Sequence, residues 1–371
     1  MNFRKAARRL HLWCSLSIGM LLVLIGLSGA ALVYYVEIDR VLHPVLDVKP
    51  QSPDWDKALV TLRTAYPDKS GAWRFEVTTD NGTIPARYNN PVEKMGQGFA
   101  PMMVWLSPDG TQILRRDYWG DYLMTWLYNL HFQLLMGDVG TAIVGYLGLF
   151  SLVLLLTGLL SWWPRRGQWL KALRFKKRSA IIGLLYDWHK ITGLLFLLPL
   201  LLLSLTGAML ALPVETRLVL SLFSELKQPN VPKTVVTVQG GLLIAPSVAA
   251  KLALAALPDA KLAWIETPTM EGGFYRLRLQ AQQDPSRRFP HSYVYIDAVT
   301  AEVVSVFNNP TQGAANTILN WLHPLHDGSV FGAIGRVIWL LSGLSCLLLF
   351  VLGLWRWLLR KPYFHWNNKP T

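Results

Sequence analysis

Four long runs of apolar residues divide the chain. Leu10–Val36, Val139–Pro164, Ile191–Val214 and Val337–Trp355 contain no Asp, Glu, Lys or Arg. They run for 27, 26, 24 and 19 residues. A helix needs about 20 apolar residues to cross a bilayer, so the pattern predicts four transmembrane helices. The segments between them are patterned differently. Helix-like stretches at Pro53–Ala65 and Ala245–Leu257 precede strand-like runs at Trp73–Thr79, Met102–Leu106, Leu262–Glu266, Phe274–Leu279 and Ser292–Ile296. Turn signals at Asn81-Gly82, Asp109-Gly110 and Asp297-Ala298 separate them. Residues 37–125 and 215–316 therefore read as two small α+β modules.

The chain also repeats itself. A shift of 195 positions brings Trp126, Leu130 and His131 onto Trp321, Leu325 and His326, and Gly158, Trp162 and Arg165 onto Gly353, Trp357 and Arg360. A shift of 178 brings His11 onto His189, Ser28-Gly29 onto Thr206-Gly207, and Glu37 onto Glu215. The expected architecture is an integral membrane, mainly α, four-helix bundle built from a duplicated helix–module–helix unit. Its segments are an N-terminus at 1–9, a first helix at 10–36 and the first module. An outer histidine segment with the second helix follows at 126–164, then a basic loop at 165–188 and a third helix at 189–214. The second module, a histidine segment with the fourth helix at 317–357, and a tail at 358–371 complete the chain. Parallel repeats in a membrane are related by an axis along its normal, which sets repeat-related residues level and opposed.

Composition sharpens this picture. The 371 residues are 52% hydrophobic and only 16% charged, with 16 Trp; soluble domains carry ~25% charged residues. The net charge of +13 invites a nucleic-acid reading, but its distribution removes it. Arg4, Lys5, Arg8 and Arg9, the segment from Arg165 to Lys190, and the tail with Arg356, Arg360, Lys361 and Lys369 hold sixteen basic residues against one acidic, Asp187. The two modules are near neutral. This is the positive-inside pattern: both termini face the cytoplasm, both modules lie outside, and the partner is lipid. The first apolar run is longer than a signal peptide needs, and the repeat requires it, so it reads as an uncleaved anchor. Cys14 and Cys346 lie in apolar runs and read as core residues, with no CxxCH for covalent haem.

Eight histidines remain. His11 and His189 open helices at the inner face, and His131 and His326 precede helices at the outer face. Two neutral imidazoles opposed across a pseudo-two-fold axis can hold one flat macrocycle. Two such pairs give two b-type haems with bis-His ligation, which suits electron transfer. His323, three residues before His326, competes for the outer role. His43, His291 and His365 have no repeat partner and read as solvated. Arg336, one turn inside the fourth helix, reads either as a haem-propionate partner or as an interfacial cation. Gly29, Gly158, Gly207 and Gly353 mark close approach of a cofactor or of another helix.

The ordered set of His11, His189, Ser28-Gly29, Thr206-Gly207, Leu130-His131 and the run SYVYIDAVTAEVV at 292–304 resembles the PepSY-associated transmembrane family. Within it, the chain is most similar to inner-membrane ferric-siderophore reductases such as that of the ferrioxamine system. Ala301 stands where the family's turn often carries Gly. The resemblance implies PepSY-like modules, a bacterial inner-membrane location, and haem-dependent reduction of an Fe(III)–siderophore to Fe(II) at the periplasmic face. The electron donor would be a quinol or a cytoplasmic reductant. Tyr118, Trp119, Tyr122 and Tyr293 are candidate chelate contacts. The rival readings are a haem-free siderophore permease and a scaffold that binds other extracytoplasmic proteins.

Overall fold

The computed structural model of the chain describes residues 3–175, 180–232 and 243–360. Lys176, Lys177, Arg178, Lys361, His365 and Lys369 lie outside the described residues. Helices α1 (Phe3–Leu32), α2 (Tyr35–Leu42) and α3 (Trp55–Ala65) lead into strands β1 (Trp73–Glu76), β2 (Ile84–Tyr88), β3 (Met102–Leu106) and β4 (Ile113–Tyr118). Helices α4 (Leu123–Gln133), α5 (Gly137–Trp162), α6 (Trp169–Leu173), α7 (Ile181–Leu195), α8 (Leu197–Ala211), α9 (Pro213–Ser221) and α10 (Pro246–Ala256) follow. Strands β5 (Lys261–Glu266), β6 (Phe274–Gln280), β7 (Ser292–Asp297) and β8 (Val303–Phe307) precede α11 (Ala314–His326) and α12 (Gly332–Leu358). Contacts divide the chain into two compact units.

The first unit takes the described residues of Met1–Tyr34, Leu127–Pro213 and Leu325–Thr371. Helices α1, α5 and α12 are each long and apolar enough to cross a membrane. The pair α7–α8, bent by 59° at a short break, passes the same test only when the two helices are taken together as one span. The sequence predicts this crossing as one helix from 189 to 214. The break falls at Phe196 because Pro199 has no N–H for the Leu195 carbonyl and its ring crowds the preceding turn. The helix also begins earlier than expected, at Ile181. Asp187 and Lys190 make this possible by pairing with each other at 3.0 Å, Asp187 being 1% exposed. α1 packs on α12 and α5, α5 on α8, and α12 on α7. A Cβ on Gly343 would lie 2.4 Å from Gly26 O, and one on Gly148 would lie 2.9 Å from Ser204 O. Small residues supply such contacts where lipid offers no hydrophobic drive between helices.

His131 and the second crossing do not share one straight helix. α4 stops at Gln133, and Leu134 and Leu135 adopt left-handed backbone with φ of 50° and 60° before α5 starts at Gly137. His326 likewise ends α11 before α12 begins at Gly332.

The second unit comprises Tyr35–Trp126 and the described residues of Val214–Pro324. The two expected modules are here halves of a single antiparallel sheet ordered β4-β3-β2-β1-β5-β6-β7-β8. They join where β1 pairs with β5, setting Arg74 opposite Glu266 and Phe75 opposite Ile265. Each half is one helix followed by four strands. Alternate side chains point to the inner face, where Trp73, Phe75, Ile265, Leu277 and Val294 are fully buried against α3 and α10. Alanines at 58, 249, 250 and 253 let these helices lie close to the sheet. The Asp54 carboxylate caps α3 by accepting from Lys57 N at 3.0 Å. Asp56 accepts from Ser247 N at 2.8 Å and so ties α3 to the start of α10. β2, β4 and β8 were not apparent in the sequence: β2 carries Pro85 at its second position, and four of the six residues of β4 are Arg115, Arg116, Asp117 and Tyr118.

Candidate functional site

Within the first unit the four repeat-related histidines form two facing pairs. The rings of His11 on α1 and His189 on α7 have centroids 6.1 Å apart and planes at 82°. Those of His131 on α4 and His326 on α11 are also 6.1 Å apart, with planes at 43°. A metal–imidazole bond of ~2 Å and the ~1.1 Å from ring nitrogen to ring centre that ring bonds of ~1.33 Å require put two opposed ligands of one metal ~6.2 Å apart. Both pairs therefore sit at the spacing of an axial pair.

Their hydrogen bonds fix the tautomer. Nδ1 lies 3.0 Å from Leu154 O in His11, 3.0 Å from Leu349 O in His189, and 2.9 Å from Ile25 O in His131. A carbonyl only accepts, so each Nδ1 carries the proton. His326 Nδ1 lies 3.0 Å from Thr206 Oγ1. That hydroxyl donates its one proton to Leu202 O at 2.7 Å, so it accepts from His326. In all four rings Nε2 is left as the lone-pair nitrogen. A metal-binding histidine is held in this way, donating its other N–H to a backbone or polar oxygen.

A glycine faces each ring. A Cβ added to Gly29 would fall 2.7 Å from His131 Cε1, and one on Gly158 would fall 2.9 Å from His11 Cε1. The corresponding distances are 3.0 Å for Gly207 and His326, and 3.4 Å for Gly353 and His189. The helix Cβ leans toward the N-terminus over the preceding turn, so its absence exposes the carbonyl four residues back. Ile25, Leu154 and Leu349 stand four residues before Gly29, Gly158 and Gly353, and theirs are the carbonyls used. Glycine thus provides both the space for the ring and access to its acceptor. The hydroxyls of Ser28, Thr157 and Thr206 bond back along their own helices, and Ser28 Oγ also lies 3.3 Å from His131 Nδ1.

The other candidates are placed as follows. The His323 ring stacks on Phe289 at 4.6 Å, and Phe289 meets Trp264 at 5.9 Å. Arg336 donates to Val33 O at 2.8 Å and lies over the Tyr34 ring at 4.4 Å. His43 and His291, expected to be solvated, are half-buried: His43 Nδ1 lies 2.9 Å from Asp39 O, and His291 lies among Arg278, His323 and Arg217. The four aromatic candidates do not converge. Trp119 and Tyr122 are buried, Trp119 against Phe99 and Tyr122 with its hydroxyl on that of Tyr35 at 3.1 Å. Burial raises the Tyr35 hydroxyl to about 12 and pushes that of Tyr122 up as well. Tyr118 on β4 and Tyr293 on β7 are six strands apart, ~29 Å at ~4.8 Å per strand.

A set of residues that sequence reasoning missed lies on the sheet face turned away from α3 and α10. In register, Arg87, Arg74, Glu266 and Arg276 form one row across β2, β1, β5 and β6. Glu76, Trp264, Arg278 and Tyr293 form the row beside it. Their signal was the every-second-residue spacing of Arg276 with Arg278 and of Arg74 with Glu76 in runs otherwise apolar.

A family model described as PepSY-associated TM region matches residues 8–360. No curated relative matches the chain.

Proposed function

We propose that this chain, which belongs to the PepSY-associated TM family, is a two-haem electron-transfer protein of the bacterial inner membrane. It reduces an Fe(III)–siderophore to Fe(II) at the periplasmic face, with both termini cytoplasmic. Its plan is a duplicated four-helix bundle carrying PepSY-type extracytoplasmic halves. The observation that carries the reading is the pair of facing imidazoles at 6.1 Å, present twice, with every Nδ1 committed to a protein oxygen.

The residues fit haem b. Each pair offers two neutral imidazole nitrogens, a donor set that haem iron would take. His11 and His189 would hold one haem, His131 and His326 the other. When bound, haem would supply reversible one-electron exchange. The histidines hold their rings in one tautomer, the glycines admit those rings between helices, and the apolar spans exclude water. Each reduction takes one electron from the donor, a quinol or a cytoplasmic reductant, and converts Fe(III) to Fe(II) in the chelate. Hard oxygen donors hold the softer Fe(II) weakly, so reduction releases the metal.

The test is the visible spectrum of the purified protein. Expected are b-type Soret and α bands and two haems per chain. His11→Ala, His131→Ala, His189→Ala and His326→Ala should each lose one haem, and His323→Ala should keep both. A colourless protein that cannot be loaded with haem ends the reading and favours a permease or a scaffold.

A further inference from the structure

The two histidine pairs differ in how their rings are turned. The planes of His11 and His189 cross at 82°, whereas those of His131 and His326 meet at 43°. The groups that receive their Nδ1 protons differ as well. His11 and His189 meet the carbonyls of Leu154 and Leu349 at 3.0 Å each, and among the described residues no hydroxyl reaches either Nδ1. His326 donates to Thr206 Oγ1 at 3.0 Å, and Ser28 Oγ stands 3.3 Å from His131 Nδ1, beside the Ile25 carbonyl at 2.9 Å. The contrast follows from the sequence. Each ring lies against a glycine, and the residue before that glycine is Ser28, Thr157, Thr206 or Leu352. Leu352 has no hydroxyl. Thr157 Oγ1 turns back along α5 to Val153 O at 2.8 Å and Leu154 O at 2.9 Å. Ser28 and Thr206 also donate their one proton within their own helices, to Leu24 O and Leu202 O, which leaves a lone pair to accept from imidazole.

We propose that Thr206 and Ser28 are positioning residues: their hydroxyls set the ring planes of the His131–His326 pair and so make the two haem sites electronically unlike. The inference rests on the haem reading. The group that accepts from Nδ1 fixes ring orientation and the basicity of Nε2, and second-shell hydrogen bonding is one of the protein's levers on haem iron. Orientation acts through the π electrons. An imidazole donates into the iron dπ orbital perpendicular to its plane, and the dπ set of low-spin ferric iron holds one hole. Rings turned near one plane act on the same orbital and split it from its partner, which gives a rhombic electron paramagnetic resonance signal. Crossed rings act on one orbital each, leave the two nearly level, and give a single, highly anisotropic feature. The splitting falls as the cosine of the angle between the planes, so most of it survives at 43° and little at 82°.

Electron paramagnetic resonance of the oxidised full-length protein in detergent tests this. Two unlike low-spin signals are expected, one rhombic and one highly anisotropic. His189→Ala should leave only the rhombic signal, and His326→Ala only the anisotropic one. Thr206→Val keeps nearly the same side-chain shape and removes the acceptor. It should retain both haems, alter the rhombic signal and raise one of the two midpoint potentials, because an imidazole without its acceptor is a poorer donor to ferric iron. The anisotropic signal and the other potential should stay as they are. Thr206→Ser should restore the wild-type spectrum. Ser28→Ala should shift the same signal less, since Ile25 O still accepts from His131. Two like signals, the reverse assignment, or a Thr206→Val spectrum that matches wild type overturns the proposal. A lower melting temperature as the sole effect of Thr206→Val does so too, because it would make Thr206 a packing residue. Should Thr206→Val not fold, Ser28→Ala and the wild-type pair of signals decide the matter. A protein that takes up no haem ends the electron-transfer reading and this one with it, whereas two haems with like signals refute this one alone.

Discussion

Gly29→Ala probes the outer histidine pair with a single methyl group. The new Cβ would fall 2.7 Å from His131 Cε1 and 3.2 Å from Nδ1. Non-bonded carbons settle ~3.5–4.0 Å apart, so the ring must retreat by about an ångström. The 2.9 Å bond from Nδ1 to Ile25 O opposes that retreat. If the ring moves, a hydrogen bond of ~1 kcal/mol is lost; if the helices part instead, overpacking costs ~1–3 kcal/mol. A loss of ~2 kcal/mol from ligation alone weakens binding ~30-fold. Gly353→Ala is the matched control, because its Cβ would sit at an ordinary 3.4 Å from His189 Cε1. Haem per chain, read from the visible spectrum during dilution in detergent, should fall toward one for Gly29→Ala and stay at two for Gly353→Ala. Equal retention in both variants, or equal loss, would refute the steric argument.

Four further outcomes follow from the geometry. Ala301 holds left-handed backbone at φ 63° in the β7–β8 turn, so Ala301→Gly should stabilise the protein by ~1 kcal/mol; a lower melting temperature would contradict this. Burial, with Arg278, His323 and Arg217 nearby, lowers His291 from 6.5 to about 4. The unfolded chain then takes up this proton first, so the contribution is complete above pH 6.5 and is lost as pH falls toward 4, by up to ~1.4 kcal/mol per unit. His291→Asn should flatten that part of the stability–pH curve, and an unchanged slope would show that other groups set it. Asp187→Asn leaves Lys190 charged in an apolar span and should cost ~3–5 kcal/mol, part of it recovered by pairing Asp187→Leu with Lys190→Met; folded yield and melting in detergent report both. Asp56→Ala removes the bonds to Ser247 and should lower stability by ~1–2 kcal/mol, measured by hydrogen exchange at α10.

The parts of the structure that could be read from the sequence share a physical property: their signals are local or repeated. Charge-free runs located the spans, because a bilayer imposes a minimum apolar length. The repeat shifts paired His131 with His326, and the structure faces those two rings while it stacks His323 on Phe289. Gly29, Gly158, Gly207 and Gly353 recur at repeat positions, the sequence signature of a close approach, and the structure sets a histidine ring against each. The bend at Phe196 was hidden because Pro199 lies inside an unbroken apolar run, where hydropathy ignores a missing N–H. The merger of two modules into one sheet was not visible, since no local pattern states that Arg74 will lie opposite Glu266. β2 and β4 were obscured by Pro85 and by the run Arg115, Arg116 and Asp117, which breaks the apolar alternation that marks a strand.

The β1–β5 seam has a consequence for how the chain is made. Strand β1 is synthesised about 190 residues before its partner β5, with α5 and the α7–α8 pair inserted in between. Until then the first half carries a bare strand edge, its hydrogen-bonding groups open to any passing extended peptide. Pairing over so long a separation is slow. The nascent first half must therefore survive as an unfinished sheet until ribosomal elongation delivers the strand that closes it.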